Sequence, residues 1–320
     1  MVSDFTQKQI PRICAIVVNF NGTKLTCQCV DSLLSSNYSN LNIVIVDNGS
    51  EDRPGEFFRE RYPQCDVIES KENRGYSGGV NIGLEHGLKG DADFFLVLNN
   101  DTIIEQDMIT ILVQAADEHP NAGLISPKIL YMEPKDYIWY DGGAFSLYFG
   151  ISRHIRLRQK DTRTSLEPHQ VSFISGCTFL IGRHTLEKVG LMDEKLFHIA
   201  EDADLSVRVR KAGYDLIYVP RARLYHMESI ATLQYFGSPV QLFLATRNIL
   251  YVHKKHACRR HDLVFYPYFT LRWLLYQSLK HLLRREPIML RAMYLAVCSF
   301  FKGKMGPPCD VRERLGPPAK

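Results

Sequence analysis

Four apolar segments of this chain end in amides, acids and glycines. FFLVLNND (94–101) ends at Asp101, ICAIVV leads into NFNG, NIVIV into DNGS, and DVIE towards NRGYSGG (73–79). In an open parallel sheet, ligands bind outside the carboxyl ends of the strands. Each polar end alone is explained by a turn, because Asn-Gly and Asp-Asn-Gly-Ser favour turns. Together they predict a ligand-binding edge where Asp47 and Asp101 face the cleft and the VLNND tip can hold a metal ion and a phosphate.

A second group of acids lies in HIAEDADLSVRVRKAGY (198–214), at the start of a predicted helix. Acids favour helix N-termini through the macrodipole, and this explanation suits Asp204, which has Arg208 as a partner one turn later. Glu201 and Asp202 are adjacent and follow the mostly apolar FHIA. They predict a carboxylate in a partly apolar rim, which suits a general base.

Two further features are weaker. A lone histidine such as His226, in LYH, is more often a packed or surface residue than a ligand, unless Asp101 needs a second protein ligand. The glycines do not fit a dinucleotide fingerprint, which needs G-x-G-x-x-G after the first strand. Only Gly22 stands in that turn, and no Walker A motif occurs. A Rossmann dehydrogenase is therefore disfavoured.

The elements that must position these residues alternate between strand and helix. Apolar and β-branched runs predict strands, and near-helical spacing predicts helices. Ser50 is the expected cap of a short helix ending at Arg61. The predicted strands are 13–18, 42–46, 66–69, 94–98 and 123–129, and the other predicted helices are 23–36, 78–88 and 103–119. Such alternation predicts a parallel sheet wrapped by helices.

The pattern weakens between residues 131 and 168, and the polar segment 153–170 predicts a mobile loop. Regular structure is expected again from 171–182. The later predictions are a helix, then a helix over 202–213, a strand over 215–220, and amphipathic helices that include 271–285 and 288–301.

The composition is that of a globular protein with a sizeable core, since 45% of the 320 residues are hydrophobic and 23% charged. Charge is uneven along the chain. Residues 240–306 hold 12 Lys and Arg against 2 Asp and Glu, whereas the remainder holds 27 against 33. This asymmetry predicts an anionic partner for the C-terminal part.

Eight cysteines without a C-x-x-C pair predict reduced thiols rather than a disulfide framework or zinc site. MVSDFTQKQIPR lacks an apolar core of signal-peptide length, and no spanning segment is predicted. We therefore expect a cytoplasmic protein.

The motifs VVNFNG, VDNGS, NRGYSGGVNIGL, VLNND, SGCTFLI, GLMDEKLFHIAEDADLSVRVRKAGY and VPRARLYH occur in this order. In this arrangement, over about residues 12 to 230, the chain resembles inverting family 2 glycosyltransferases of the GT-A fold, of the bacterial rhamnosyltransferase and galactofuranosyltransferase type. RNILYVHKK and GKMG are also similar to that group's C-terminal extension. The resemblance implies an α/β fold with a mostly parallel central sheet flanked by helices, a nucleotide-binding αβα sandwich.

The resemblance also implies a division of the chain. Residues 1–233 are expected to form the catalytic domain, with nucleotide-sugar binding in about 12–130 and the acceptor and base part in about 170–230. Residues 234–320 are expected to form a basic, amphipathic helical extension.

A nucleotide-sugar donor and a divalent cation, Mn²⁺ or Mg²⁺, follow from the resemblance. The implied metal ligands are Asp101 and His226, and the implied catalytic base is Asp202. Asn99 stands where the family usually has the first acid of its metal motif, so direct metal ligation by position 99 is not expected. The residues implied to bind the nucleotide sugar are Val18, Asn19, Phe20, Asp47, Arg74, Gly75, Gly78, Asn99 and Asn100.

This set is chemically coherent. The leaving nucleoside diphosphate is a polyanion, and a hard divalent cation prefers oxygen ligands that phosphate can complete. A histidine ligand favours Mn²⁺ modestly. The acceptor hydroxyl needs a base within hydrogen-bond reach, which we assign to Asp202, with Glu201 positioning the acceptor or the loop. Attack opposite the leaving group inverts the anomeric centre.

The sequence argues against two rival functions. A sugar-1-phosphate nucleotidyltransferase needs a Gly-rich, basic loop after the first strand, and NFNGTKL is not one. The presence of Asp47, Asp101, Asp202 and His226 together argues against a non-catalytic nucleotide- or glycan-binding protein that kept the fold. Within sugar transfer, the resemblance favours dTDP-rhamnose as donor, with UDP-galactofuranose or a UDP-hexose as alternatives, and a saccharide or lipid-linked acceptor in cell-surface polysaccharide synthesis.

The C-terminal helices have two explanations. Their aromatic and aliphatic residues can pack on the catalytic domain, or they can lie with Arg and Lys against an anionic membrane surface near a lipid-linked acceptor. The second explanation predicts a peripheral protein on the inner face of the cell membrane. No nucleic-acid partner is predicted, and the sequence does not indicate an oligomeric state.

Overall fold

The structure, a computed structural model, describes residues 10–162, 165–227, 230–308, 311 and 315, with the side chains of 230–238 excepted. Residues 1–9, assigned from sequence to the catalytic domain, lie outside this description. The strands are β1 (Ile13–Asn19), β2 (Leu41–Asp47), β3 (Asp66–Glu69), β4 (Phe94–Asn99), β5 (Thr102–Ile104), β6 (Ala122–Tyr131), β7 (Ile138–Tyr140), β8 (Gly143–Ser146), β9 (Ile151–His154), β10 (His169–Val171), β11 (Thr178–Gly182) and β12 (Asp215–His226). The α-helices are α1 (Thr23–Leu34), α2 (Gly55–Arg61), α3 (Gly75–Leu88), α4 (Met108–Glu118), α5 (Arg183–Val189), α6 (Glu201–Lys211), α7 (Ile230–His256), α8 (Arg259–Tyr268), α9 (Tyr276–Leu283) and α10 (Pro287–Phe301).

The central sheet has the order β10-β12-β6-β11-β4-β1-β2-β3, with β5 paired to β12 and β7 to β6. It is parallel from β3 through β2 and β1 to β4, and again between β6 and β12. Strand β11 runs antiparallel to both of its neighbours. The predicted architecture, a central sheet flanked by helices with further helices at the C-terminus, is confirmed.

Strand β1 is buried on both faces, and its side chains alternate between two cores. Ile13, Ala15 and Val17 join the core that contains side chains of α1, α2 and α4. Cys14, Ile16 and Val18 join the core that contains side chains of α3, α5 and α6. The continuous apolar run read from the sequence is therefore the middle layer of a three-layer structure.

Helix α3 lies unusually close to β1 because three glycines, each four residues apart, face the strand. A Cβ built on Gly79 would lie 2.6 Å from Val18, and one on Gly83 only 2.3 Å from Ile16. At Gly87 it would meet Cys14 Sγ at 2.7 Å. These glycines lower the helix propensity of the segment but are required by its packing. The helix begins at Gly75, three residues before the predicted start.

Two local predictions were wrong. The helix expected over 103–119 begins at Met108, since residues 102–104 form β5 and pair antiparallel with 224–226 of β12. Apolar spacing does not distinguish a short strand from the first turn of a helix, and tertiary pairing decided it. Ser50 caps no helix: α2 follows Pro54, and the Ser50 hydroxyl contacts Asp47 instead.

The region predicted to be irregular contains β7, β8, β9 and β10, so the predicted loop over 153–170 is wrong in part. Its polar residues are fixed by ion pairs. The Nζ of Lys128, fully buried in β6, lies 2.8 Å from Asp161 Oδ1, and Arg156 Nη1 lies 3.2 Å from Asp141 Oδ2. Strand β12 also continues past Pro220 to His226, with a register shift between Val219 and Arg223.

The C-terminal helices pack on the sheet-containing part of the chain. Buried Phe243 and Leu244 share a cluster with Phe197, and Phe265 lies beside Gly150. Between α8 and α9 the backbone forms a π-helix over Phe269–Leu275. Helix α7 begins at Ile230 and runs through the predicted domain boundary at 233. Of the helices in the described ranges, none has the length and apolar character needed to span a bilayer. The seven described cysteines are free, as predicted, and Cys309 lies outside the described residues.

The packing of α3 on β1 can be tested with Gly83→Ala. The added methyl group overlaps Ile16, so we expect the free energy of unfolding to fall by about 1–3 kcal/mol despite the better helix propensity of alanine. Gly90→Ala is the matched control. Its Cβ meets nothing closer than 3.6 Å, and we expect a change within about 0.5 kcal/mol. Denaturant unfolding of both variants measures the difference, and equal effects would contradict the packing argument.

Candidate active site

A cavity of about 620 Å³ lies at the carboxyl ends of β1 and β4 and reaches the start of α6. Among the residues that the structure describes, the predicted site residues that line it are Val18, Phe20, Gly75, Asn99, Asn100, Asp101, Glu201, Asp202 and His226. Asn19, Asp47, Arg74 and Gly78 are not in the lining. The sheet therefore brings together residues up to about 200 positions apart.

Asp101 and His226 are brought together by the pairing of β5 with the end of β12. Thr102 is opposite His226 in this antiparallel pair, and Met227 N donates to Asp101 O at 3.0 Å. His226 Nε2 lies 3.1 Å from Asp101 Oδ1, and both side chains are buried. The tip of the VLNND segment thus meets the LYH histidine.

The donor set of these two residues fits a divalent cation. Apart from the 3.1 Å contact between His226 Nε2 and Asp101 Oδ1, neither carboxylate oxygen of Asp101 and neither ring nitrogen of His226 has a hydrogen-bond partner among the described residues. Buried polar atoms without a partner are costly, and a bound cation would satisfy them. No group of three or more His, Cys, Asp or Glu suited to a metal occurs in the described ranges, so these two would hold a cation together with oxygens of the ligand.

The ends of β1 and β2 are joined by a buried polar network beneath the cavity. Asn19 Nδ2 donates to Asp47 Oδ1 at 2.9 Å and to Ser50 Oγ at 3.0 Å, while Asn19 Oδ1 accepts from Thr26 Oγ1 at 2.7 Å. Ser50 Oγ also donates to Asp47 Oδ1 at 2.5 Å. The structure thus locates Asn19 and Asp47 behind the lining formed by Val18 and Phe20.

The glycine-rich start of α3 contacts the segment that leads into α6. Arg74 Nη2 donates to both carboxylate oxygens of Glu194, at 2.9 and 2.8 Å. Gly75 has a φ of +73°, and a Cβ there would lie 2.3 Å from Phe197 O. At Gly78 a Cβ would lie 2.5 Å from Arg74 Cβ, so both glycines are needed for this close approach.

The two asparagines of VLNND have separate partners, Asn99 through its main chain and Asn100 through its side-chain amide. Asn99 N donates to Cys177 O at 2.9 Å, and Asn99 O accepts from Thr102 Oγ1 at 2.7 Å. Asn100 Nδ2 donates to Thr26 Oγ1 at 2.9 Å. These bonds shape the turn that presents Asp101.

Asp202 lies in the first turn of α6 and lines the cavity. Its Oδ2 accepts from Gly176 N at 3.0 Å and its Oδ1 from Ala203 N at 2.8 Å. Burial, reinforced by the neighbouring charge of Glu201, raises the pKa of Asp202 to about 7. A carboxyl group with this pKa can accept a proton near neutral pH, which is the property of a general base.

Glu201 and His198 are also desolvated. Burial raises the pKa of Glu201 to about 7, and its Oε2 has no hydrogen-bond partner in the described part of the chain. Burial lowers the pKa of His198 to about 4, so its imidazole is neutral at pH 7.

By contrast, Asp204 faces away into an ion-pair cluster. Burial opposes ionisation there, but bonds from His256, Arg208 and Lys255 hold its pKa well below the ordinary value. Its structural explanation is confirmed.

The segment before Asp202 is strained. Phe197, Ile199 and Ala200 have φ values of 62°, 72° and 71°, a region that non-glycine residues avoid. Each such residue costs on the order of 1–3 kcal/mol and persists only where its surroundings hold it. His198, Ile199 and Ala200 line the cavity, so the strain lies in its wall.

The sequence profile of the family described as "Glycosyl transferase family 2" matches residues 14–190, which is more than half of the chain. The chain belongs to glycosyltransferase family 2. The matched region contains the ends of β1, β2 and β4 around the cavity, whereas the Glu201–Asp202 pair and His226 follow it.

Curated relatives of this family 2 chain include two sugar transferases. It is 29% identical over 213 residues to an N-acetylglucosaminyl-diphospho-decaprenol L-rhamnosyltransferase of Mycobacterium tuberculosis, which covers 60% of this chain and 68% of the relative. It is 21% identical over 202 residues to the galactofuranosyltransferase GlfT1 of Mycolicibacterium smegmatis, covering 63% and 66%.

Solved structures share the GT-A fold with this family 2 chain. GalNAc-T7 with UDP, GalNAc and Mn²⁺ superposes with a TM-score of 0.58 at 15% identity, over 86% of this chain and 58% of the other. The mannosyltransferase PcManGT of Pyrobaculum calidifontis, with GDP-Man and Mn²⁺, gives 0.55 at 17% identity, over 90% and 74%. At these identities the likeness shows the fold alone.

Sequence reasoning missed several lining residues of this family 2 site. Trp139 lies with its ring centroid 4.5 Å from that of His226 and 4.5 Å from that of His154. His154 Nδ1 is 3.1 Å from Trp139 O, and burial lowers its pKa to about 4. Tyr76 donates to Gly176 O at 2.5 Å. Both Trp139 and His154 belong to the region predicted to be irregular. The only sequence signal for buried structure there was the presence of aromatic residues among polar ones.

The buried Glu201 carboxyl should make stability depend on pH. Its folded pKa of about 7 exceeds the ordinary 4.5, so stability is complete at low pH and falls between about pH 4.5 and pH 7. Glu201→Gln removes this loss. The measured quantity is the free energy of unfolding of the variant minus that of the parent. We expect this difference to be about 2–3 kcal/mol larger at pH 8 than at pH 4. Denaturant unfolding at both pH values tests this, and a constant difference would contradict it.

Proposed function

We propose that this chain is a metal-dependent, inverting glycosyltransferase that uses Asp202 as general base. The observation that carries the proposal is that one cavity is lined both by a desolvated base with a pKa of about 7 and by the Asp101–His226 pair, whose buried ligand atoms contact no other described residue through a hydrogen bond. Family membership supports sugar transfer over the nucleotidyltransferase alternative.

In this reaction an acceptor hydroxyl lies beside Asp202 and loses its proton to that carboxylate as it attacks the anomeric carbon. Hydrogen bonds from Gly176 N and Ala203 N orient the carboxylate. Glu201, with an unsatisfied Oε2, orients the acceptor or the adjoining segment. Attack comes from the Asp202 side while the bond between the anomeric carbon and the diphosphate oxygen breaks. The nucleoside diphosphate leaves on the Asp101 side, so the anomeric configuration is inverted.

The charge of the cavity supports a cation. Three acidic side chains, Asp101, Glu201 and Asp202, line it, and no Lys or Arg side chain does among the residues described. Neutral His154 and His198 do not compensate. A diphosphate would be repelled by such a lining, and a divalent cation held by Asp101 and His226, Mn²⁺ or Mg²⁺, would neutralise the charge that develops on the leaving group.

The nucleotide sugar is proposed to lie along Val18, Phe20, Gly75, Asn99 and Asn100, with Asn19, Asp47, Arg74 and Gly78 supporting these residues from behind. We favour dTDP-rhamnose as donor because one relative is named as a rhamnosyltransferase, with UDP-galactofuranose or a UDP-hexose as alternatives. That relative's name also supports a lipid-linked saccharide as acceptor. We propose a lipid-linked or saccharide acceptor and a role in cell-surface polysaccharide synthesis.

The test combines Asp202→Asn and Asp101→Asn with the parent chain. We expect Asp202→Asn to lower sugar transfer at least about 100-fold while donor and Mn²⁺ still raise the melting temperature. For Asp101→Asn we expect loss of both transfer and Mn²⁺-dependent stabilisation by the donor. In the parent, kcat/KM should rise with pH through about 7, because the base must be ionised.

Glu187→Gln is a control, because this side chain is more than half exposed on α5, away from the cavity lining. Transfer by Asp202→Asn at the parent rate would refute the base. The binding-protein alternative would be favoured by a different result. In that case every variant binds the donor, but the parent neither transfers the sugar to a tested acceptor nor releases it to water.

A further part of the proposal concerns the membrane. The C-terminal helices expose leucines at 271, 275, 279, 282 and 283, with relative exposures between 54% and 75%. From 275 to 283 their spacing of four, three and one places them on one helix face. Arg272, stacked over Tyr276 at 4.2 Å, and Arg284 and Arg285 are also exposed.

An apolar face with adjacent arginines is complementary to an anionic lipid surface. We propose that residues up to 233 form the catalytic domain and that the extension from 234 both packs on it and lies on the inner face of the cell membrane. This arrangement would present the cavity to a lipid-linked acceptor. A peripheral position of this kind buries the exposed leucines in the interfacial layer.

The double variant Leu279→Glu, Leu283→Glu tests this surface. We expect the parent to sediment with phosphatidylglycerol vesicles and the variant to bind about 10-fold or more weakly, since two leucines are lost and two like charges are added. Leu34→Glu, on α1 with a leucine 41% exposed, is the matched control and should sediment like the parent. Equal sedimentation of both variants, or none by the parent, would contradict a lipid-binding surface.

A further inference from the structure

The segment RNILYVHKK in α7 contains a buried amide that is bonded to the wall of the cavity. Asn248 has no exposed surface. Its Nδ2 lies 2.8 Å from Leu196 O, 2.9 Å from His198 O and 2.8 Å from Ile199 O. One side-chain amide therefore gathers three main-chain carbonyls that precede Asp202.

These carbonyls belong to the strained segment. The left-handed conformations of Phe197, Ile199 and Ala200 turn the chain back so that its carbonyls converge on one side. Such convergence of oxygen atoms is unfavourable without a donor. Asn248 Nδ2 supplies two hydrogens, one of which is shared between two of the three carbonyl oxygens. On the other side of the segment, Ser77 N donates to Phe197 O at 3.2 Å.

The orientation of the amide is fixed by its neighbours. Arg247 Nε donates to Asn248 Oδ1 at 3.0 Å, and a reversed amide would direct its oxygen at three carbonyl oxygens. Arg247 Nη1 also donates to Gly306 O at 3.0 Å, and Gly306 N donates to Lys195 O at 2.8 Å. RNILYVHKK and GKMG therefore hold the same segment together.

We infer that Asn248, in the C-terminal extension, is a positioning residue for Asp202 that acts by holding the main chain of residues 196–200. This inference rests on the proposed role of Asp202 as general base. The start of α6 follows directly from this segment, so the direction of the Asp202 carboxylate depends on it. The extension is accordingly a part of the catalytic apparatus and not only an attachment surface.

Asn248→Leu keeps the branching of the side chain at Cγ, with a larger volume, and removes both donor hydrogens. We expect kcat to fall about 10- to 100-fold because small displacements of a catalytic group have large effects, while the donor KM changes less than about threefold. The released segment would hydrate Asp202, so the midpoint of the kcat/KM–pH profile should move below its parent value of about 7.

Thr246→Val is the matched control. Thr246 is equally buried in the same helix and accepts from Trp273 Nε1 at 2.9 Å, within the extension. Loss of this hydrogen bond in Thr246→Val should lower the stability of the fold without changing the pH midpoint or kcat. If Asn248→Leu does not fold, Asn248→Gln, which keeps the amide but displaces it by one methylene, carries the test with smaller changes in the same direction.

The outcomes are separable from those of the proposed function. The positioning role would be overturned if Asn248→Leu folds and keeps the kcat and the pH midpoint of the parent. If Asp202→Asn is inactive in the same assay, the assignment of Asp202 as base stands. Equal losses in Asn248→Leu and Thr246→Val would also overturn it, since the effect would be general destabilisation. Full activity of Asp202→Asn would refute the base itself, whatever the Asn248 variants do.

Discussion

The contact between helix α3 and strand β1 is the constraint on which the rest of this structure depends. Because glycines at 79, 83 and 87 leave no side chain between them, the helix lies directly against the central strand. Its N-terminal end then reaches the second half of the chain. Asn81 exchanges hydrogen bonds with Met192, Arg74 pairs with Glu194, and Tyr76 bonds to Gly176. A bulkier helix face would move this end, and with it the wall of the cavity.

The cavity has a second characteristic, which is that its acidic groups are kept from water without being neutralised by protein cations. Asp101 is buried beside His226, while burial raises the pKa of both Glu201 and Asp202. Both features reduce the stability of the folded chain, as does the left-handed segment before α6. Proteins retain such features where a ligand or a reaction uses them. Here they meet at one site, as the proposed reaction requires.

The fold was largely predictable from sequence because its strands are buried on both faces and its helices are amphipathic. ICAIVV and FFLVL allow little other than interior strands, and the polar ends of these strands identified the site edge. The failures have a common cause. Ile103 and Ile104 fit a helix by spacing, but pairing with β12 made them a strand. Residues 138–154 look irregular because their polar groups are satisfied by partners outside the segment, as Asp141 is by Lys128 and Arg156. No local pattern reveals such pairs.

By itself, the sequence determined which chemical groups are available: one aspartate at the end of a buried strand, an adjacent pair of acids at a helix start, and a histidine after a strand. The order and spacing of the motifs also indicated the family, because each motif lies at a turn whose geometry requires particular residues. Only the tertiary structure decided that His226 meets Asp101, that Asp47 is held behind the lining, and that Asn248 supports the segment before Asp202. These relations depend on strand pairing and close packing between segments far apart in the chain. Local sequence does not encode such contacts, since their energy exists only once the layers have assembled.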